Sequence, residues 1–167
     1  MDRRQLIKRG LEAIVLVSVP LFSSCSEKNP MQPEPEGPNY NSVVKDGIEY
    51  YLQTDKREYA LGENVEMLFR ITNKRDEEIN FKFAYQQQIT FLVEKDGSKI
   101  WGWPTRINPA ESYIYLQPKD YREYIKEWDM IYLNNGTLIT GGNFKVTGYL
   151  NSPHGVPVSV PIDIYKK

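Results

Sequence analysis

The chain has 167 residues with 21 basic and 22 acidic side chains, one cysteine and one histidine. That length holds one ordinary domain. A single cysteine forms no internal disulfide, a single histidine without a second thiol makes none of the usual zinc sets, and a near-neutral chain has no electrostatic reason to seek nucleic acid. The expectation is a protein without metal or cofactor whose domain is stable from its core alone.

The chain opens on Arg3, Arg4, Lys8 and Arg9, followed by an apolar run from Ala13 to Phe22 and then Ser23, Ser24 and Cys25. A charged segment, a short apolar segment and small residues before a cleavage point make a secretory signal. Ten apolar residues fall short of the about 20 that span a bilayer. Their continuity, with no stripe at helical spacing, argues against an ordinary amphipathic helix. Phe22–Cys25 resembles a lipobox, which implies a diacylglycerol thioether on the Cys25 sulfur and cleavage before Cys25. Arg3–Lys8 also resembles a twin-arginine export signal, and Glu12 near the apolar run suits that route. A general-secretion signal beginning with two arginines is the alternative, and the two stay open. Without residues 1–24, which carry four basic and two acidic groups, 17 basic side chains face 20 acidic ones, a net of −3.

Residues 25–45 read as the lipidated cysteine and a tether. Pro30, Pro33, Pro35 and Pro38 block regular structure, and little apolar surface is there to bury. In an extended form, at about 3.1 Å per residue, the tether holds a domain up to roughly 60 Å from a membrane.

Residues 46–167 read as the folded domain. From Ile48 onward the apolar period is two: Ile48, Tyr50, Leu52; Val65, Met67, Phe69, Ile71; Ile79, Phe81, Phe83. Each set gives one apolar and one mostly polar face, as a sheet packed on one side requires. Further strands are expected at Ile89–Glu94, Ile100–Trp103, Tyr113–Leu116, Tyr121–Trp128, Phe144–Leu150 and Val156–Ile164. Turn signals separate them, with Asp96-Gly97 the strongest because both residues tolerate positive φ. Pro157 and Pro161 cannot donate to a ladder, which predicts a sheet-edge place for the last strand. No long helical stripe and no internal repeat is present. The expected fold is all-β: an immunoglobulin-like β-sandwich of about eight short antiparallel strands.

Four segments, in order, resemble the intracellular proteinase inhibitor (BsuPI) family. They are Thr54–Glu63 continuing through Val65–Asn73 with its Thr72-Asn73 end; Ile89–Gly97 followed by Ile100–Trp103; Leu116–Lys119 with the strand that ends at Glu127-Trp128; and Gly142–Leu150. The resemblance covers about residues 48–150. It implies an Ig-like sandwich and, by the family's description, inhibition of serine proteases. It carries no inhibitory residue onto a position here.

The chemistry-bearing residues point to binding more than to catalysis. His154 lies in the turn-rich stretch Asn151–Gly155 near Ser152, but a triad also needs an orienting acid and an oxyanion hole. Trp101 and Trp103, two apart, share one strand face; they suit a stacking platform or, preferably, the sandwich core, as does Trp128. Tyr113, Tyr115, Tyr121 and Tyr124 gather around one turn and read the same two ways. The acidic runs at Asp55, Glu58, Glu63 and at Asp76–Glu78 lack the alternating spacing of calcium loops. An inhibitor needs a stiff convex loop, and three qualify by length: Trp103–Glu111, Leu133–Gly142 and Asn151–Pro157. The first is preferred, with Trp103, Arg106, Asn108 and Pro109 as candidate contact residues.

The sequence thus predicts an exported, lipid-anchored, non-enzymatic domain of the cell membrane or outer membrane. Its expected partner is a serine protease. The alternative is an Ig-like scaffold module that holds another envelope protein without inhibiting anything.

Overall fold

The structure is a computed structural model and describes residues 37–131 and 136–166. Among them are eleven strands and no helix: β1 Asn39–Lys45, β2 Ile48–Thr54, β3 Glu58–Ala60, β4 Val65–Asn73, β5 Ile79–Phe83, β6 Ile89–Lys95, β7 Ser98–Trp103, β8 Ser112–Leu116, β9 Tyr121–Trp128, β10 Gly142–Leu150 and β11 Val158–Tyr165. One sheet has the order β1-β2-β4-β9 and the other β3-β11-β10-β6-β7, with β5-β8 a separate two-stranded ribbon. All neighbours are antiparallel except β3 and β11. The all-β sandwich read from the sequence is the fold observed.

Alternation places the core. Tyr50 and Leu52 of β2 and Val65, Met67, Phe69 and Ile71 of β4 face Ile89, Phe91 and Val93 of β6, Phe144 and Val146 of β10, and the apolar side of β11; all are buried. Phe69 meets Phe91 edge-to-face across the sheets, centroids 6.4 Å apart at 84°, a favourable aromatic geometry. At Gly148 of β10 the sheets come too close for a side chain: a Cβ there would sit 2.8 Å from Phe69 Cδ2 and 3.1 Å from Leu52 Cδ1.

Strand β1 is a departure from the expected tether, whose last seven residues, Asn39–Lys45, it contains. Its side chains are mostly exposed, so no apolar alternation marks it. It is held by the β2 ladder, and Tyr40 stacks on Tyr51 with centroids 5.6 Å apart. The turn between β1 and β2 is Asp46-Gly47 with φ of 50° and 70°, and the β6–β7 turn is Asp96-Gly97 with φ of 50° and 76°. Both are the two-residue hairpin turns that match the twist of their strands.

By strand order the last strand is not outermost, but along Val158–Ile162, Pro161 included, it has a sheet neighbour on one side only, as the prolines predict. β11 lies between β10 and β3, although β3 pairs only with its final three residues. The free stretch is covered from the other sheet: Asn41 Nδ2 donates to the Ser159 carbonyl and Asn39 Nδ2 to the Pro161 carbonyl. In a strand, a residue's nitrogen and carbonyl point the same way. Pro161 therefore turns its missing N–H away from β10, and the inner ladder loses nothing.

Two other edges are blunted. On β9, Lys126 sits opposite the buried Met67 and so points inward, where its Nζ lies 4.4 Å from the centre of the Trp103 ring. β7 faces a register irregularity at Val93/Glu94. Inward charges and bulges both discourage edge-to-edge pairing.

Candidate functional site

Three loops meet at one end of the sandwich: residues 84–88 between β5 and β6, 104–111 between β7 and β8, and 151–157 between β10 and β11. Their meeting point is Gln86, Gln87 and Gln88. Gln87 Oε1 accepts the Asn108 main-chain N–H at 2.7 Å, and Gln86 Oε1 accepts from Asn108 Nδ2 at 2.6 Å. The Gln86 N–H donates to the Asn108 carbonyl at 3.2 Å, and Ala110 N–H shares that carbonyl at 2.9 Å. On the other side Asn151 Nδ2 donates to the Gln87 carbonyl at 2.9 Å, the Asn151 N–H to the Gln88 carbonyl at 2.8 Å, and Thr90 Oγ1 to Asn151 Oδ1 at 2.9 Å. Gln88 Nε2 reaches the Tyr113 carbonyl, and its Oε1 accepts from Tyr124 Oη at 2.7 Å. Burial pushes the Tyr124 phenol up to about 12, so it stays a donor at neutral pH.

The residues expected to make contact divide into base and tip. Asn108 is the base, fixed by the glutamines. Arg106 and Pro109 are exposed. Ile107, not singled out from the sequence, is 65% exposed, a large apolar side chain held in water between Arg106 and Asn108. Trp103 is half-buried against the core at the loop's start, before a cis Trp103–Pro104 peptide. At the loop's far end Lys82 and Glu111 pair at 2.8 Å. The hydrogen bond from Lys82, and a second from Tyr113 Oη, hold the Glu111 carboxyl below its ordinary range. The same bond to Glu111 raises the Lys82 ammonium.

The other sequence candidates are accounted for as follows. Trp128 is fully buried, 6.5 Å from Trp101 and 5.8 Å from Phe144 by ring centroids; Trp101 is half-buried against the same core. The contact between His154 and Ser152 runs from the His154 main-chain N–H to Ser152 Oγ at 3.1 Å. The His154 carbonyl accepts from Tyr50 Oη at 3.0 Å. Asp55 Oδ1 accepts from Tyr59 Oη and the Glu66 N–H, and Glu63 Oε2 accepts from the Ala60 N–H, so these acids shape the β2–β4 connection. Among the described residues no three His, Cys, Asp or Glu side chains gather to hold a metal ion. Tyr113, Tyr115 and Tyr121 are exposed; of the four tyrosines around that turn, only Tyr124 and the Tyr113 carbonyl join the glutamines. Cys25, the export signal and most of the tether lie outside the described residues, as do Leu133, Asn134 and Asn135 of the second candidate loop.

The glutamine cluster had no sequence signal beyond three polar residues in a row. Its partners lie 21, 22 and 64 positions away.

Comparison with solved structures finds loose likenesses. A β-glucosidase from Listeria innocua is 15% identical with a TM-score of 0.42, covering 75% of this chain and 17% of its own. The alkylpurine DNA glycosylase AlkC of Pseudomonas fluorescens is 9% identical with a TM-score of 0.46, covering 73% of this chain and 31% of its own. The CARDB domain of the PF1109 protein from Pyrococcus furiosus is 10% identical with a TM-score of 0.40, covering 81% of this chain and all of its own. This chain spans less than a fifth of the β-glucosidases it matches, and likeness at these scores says nothing about activity. No curated protein matches the sequence. The family comparison is different in kind: residues 52–154, more than half of the chain and including strands β4 to β10 and all three loops up to His154, match a known family model. The chain belongs to the BsuPI family, described as intracellular proteinase inhibitors.

Proposed function

We propose that the protein is a proteinase inhibitor anchored to a membrane through a lipid on Cys25, and that it blocks a serine protease with the 104–111 loop. An inhibitor family speaks for a binding protein with a protease partner and against an enzyme. The observation that carries the choice of loop is its construction. Asn108 is fixed through its N–H, carbonyl and side chain, while Arg106 and Ile107 beside it stand in water. A projecting segment ordered before binding loses less entropy in a cleft than a loose one. Loop 151–157 hangs from the same glutamines and flanks the contact.

Replacing Thr105–Pro109 by glycine and serine is expected to weaken inhibition more than 100-fold (roughly 3 kcal/mol of binding) with the far-ultraviolet spectrum unchanged. The double variant Gln86→Ala/Gln87→Ala keeps Arg106 and Ile107 and loses their support. It should weaken inhibition by about tenfold, through freed side chains and a looser loop. Progress curves of protease activity against inhibitor concentration give both values. Undiminished inhibition by the glycine–serine loop would move the contact elsewhere.

The anchor reading rests on the charged segment, the apolar run and the small residues before Cys25. A diacylglycerol with a further acyl chain is a lasting anchor, where one chain alone is marginal. Expressed with its own N-terminus in a bacterial host, the protein should partition into detergent. The Cys25→Ser variant should leave the detergent phase or stay uncleaved. Equal partitioning of the two, with the variant cleaved as the native chain is, would remove the anchor from the account.

A further inference from the structure

The loops at the candidate site differ sharply in charge. Across residues 84–88, 104–111 and 151–157, Arg106 is the only lysine or arginine. Their only acid, Glu111, is held by Lys82 at 2.8 Å and by the Tyr113 hydroxyl at 3.0 Å. Arg106 is exposed and has no hydrogen bond, ion pair or ring contact among the described residues. Arg70 and Arg75, by contrast, are ion-paired on the sheet and at a turn. This end of the sandwich therefore presents one free guanidinium on a surface otherwise poor in charge.

The main chain around it suits insertion into a cleft. The chain changes direction at Thr105 and Arg106, which puts Arg106 at the convex point. Thr105 and Ile107 on either side are β-branched, stiff at χ1 and inclined to extended backbone. Pro109 bars Asn108 from helical backbone, and Gln86 and Gln87 fix Asn108 in place. No residue from 105 to 109 has a positive φ. One long side chain thus stands between two short stiff ones, two residues from a fixed point. Ile107 is 65% exposed but branched at Cβ, so it is widest beside the main chain, where a narrow pocket closes.

A guanidinium that leaves water for a protein pocket needs a carboxylate there, and arginine meets one through two parallel N–H···O bonds. An apolar slot would strand the charge. We infer that Arg106 enters the primary specificity pocket of the target, and that the target is a trypsin-like serine protease, with a carboxylate at the floor of that pocket. The inference rests on the inhibitor reading and adds to it the class of protease and the residue that selects it.

The experiment measures inhibition constants of the full chain and three Arg106 variants against trypsin, chymotrypsin and subtilisin. The native chain should inhibit trypsin roughly 100-fold more tightly than the other two, the size of effect that one desolvated charge pair can supply. Arg106→Lys keeps the charge without the planar fork and should stay within about tenfold on trypsin. Arg106→Gln removes the charge and should lose roughly 100-fold. Arg106→Phe should lose trypsin likewise and gain inhibition of chymotrypsin, whose pocket is an apolar slot. A gain on one protease does not come from misfolding, so this arm separates contact from structure. Inhibition of chymotrypsin or subtilisin at least as tight as that of trypsin would overturn the inference and leave the inhibitor reading standing. Undiminished inhibition of trypsin by Arg106→Gln, or no gain on chymotrypsin by Arg106→Phe, would do the same. Inhibition of none of the three overturns it too, and a wider protease panel then decides the inhibitor reading by itself.

Discussion

Asn73→Asp is expected to lower the unfolding free energy at pH 7 by roughly 3–5 kcal/mol, a large part of the 5–15 kcal/mol typical of a domain. Asn73 ends β4 and is fully buried. Its Nδ2 donates to the carbonyls of Glu77, Leu116 and Gln117 at 2.8, 3.0 and 3.1 Å. Its Oδ1 accepts the Arg75 N–H at 2.9 Å. Its main chain closes the same knot, with its N–H to the Asp120 carbonyl at 2.9 Å and its carbonyl to the Lys119 N–H at 3.0 Å. One amide therefore ties the β4–β5 loop to the β8–β9 turn. Aspartate is the same size but turns the donor into an acceptor, and an ionised one would face three carbonyl oxygens. The native state then favours the protonated acid, which raises the variant's folded pKa above the unfolded value of about 3.9. The sign follows: the deficit is small below that value and grows as pH rises through and beyond it. Urea unfolding at pH 3.5 and pH 7 checks both parts. A deficit under 1 kcal/mol, or one independent of pH, would remove Asn73 from this role.

Trp128→Ala should cost about 3–5 kcal/mol, the range for emptying a large buried aromatic site. Trp128 is fully buried between Trp101 and Phe144, and its Nε1 donates to the Ile131 carbonyl at 3.1 Å. The substitution leaves both a cavity and an orphaned carbonyl. Trp128→Phe keeps most of the volume and should cost less than half as much, the hydrogen bond and the remaining void together. Trp101→Ala serves as the control. That ring is only half-buried against the same core, and its removal should cost less than that of Trp128. Equilibrium unfolding of the three variants ranks them, and equal losses for Trp101 and Trp128 would contradict the packing described.

The alternation of Val65–Ile71, Ile79–Phe83 and Ile89–Val93 was legible because each of those strands buries one face, and burial writes itself into sequence as a period of two. Strand β1 was not, because its cohesion is main-chain pairing plus one tyrosine stack. Yet Asp46-Gly47 carries the same hairpin signal that placed the β6–β7 turn and would have located it. The two prolines were correctly read as unable to donate. The step from proline to sheet edge holds for the stretch around Pro161, where Asn39 and Asn41 of the other sheet, and no strand, cover the carbonyls of β11. Asn73 entered the sequence reading as the start of the Asn73–Glu78 turn and as part of a resemblance, and its structural reason is the knot of carbonyls it satisfies. The candidate loop was nameable by length and composition. Its support by Gln86 and Gln87 was not, because side-chain bonds between distant loops leave no periodic trace. The three loops chosen by length alone stand differently in the structure: two share one glutamine cluster, and the third carries residues outside those described.

The most direct test of the account is the activity of a panel of extracellular and intracellular serine proteases with the purified protein added. The account predicts that at least one protease is inhibited stoichiometrically at micromolar protein or below, that a complex survives on a sizing column, and that the glycine–serine replacement of Thr105–Pro109 abolishes both. Full protease activity throughout the panel, with no complex formed, would contradict it.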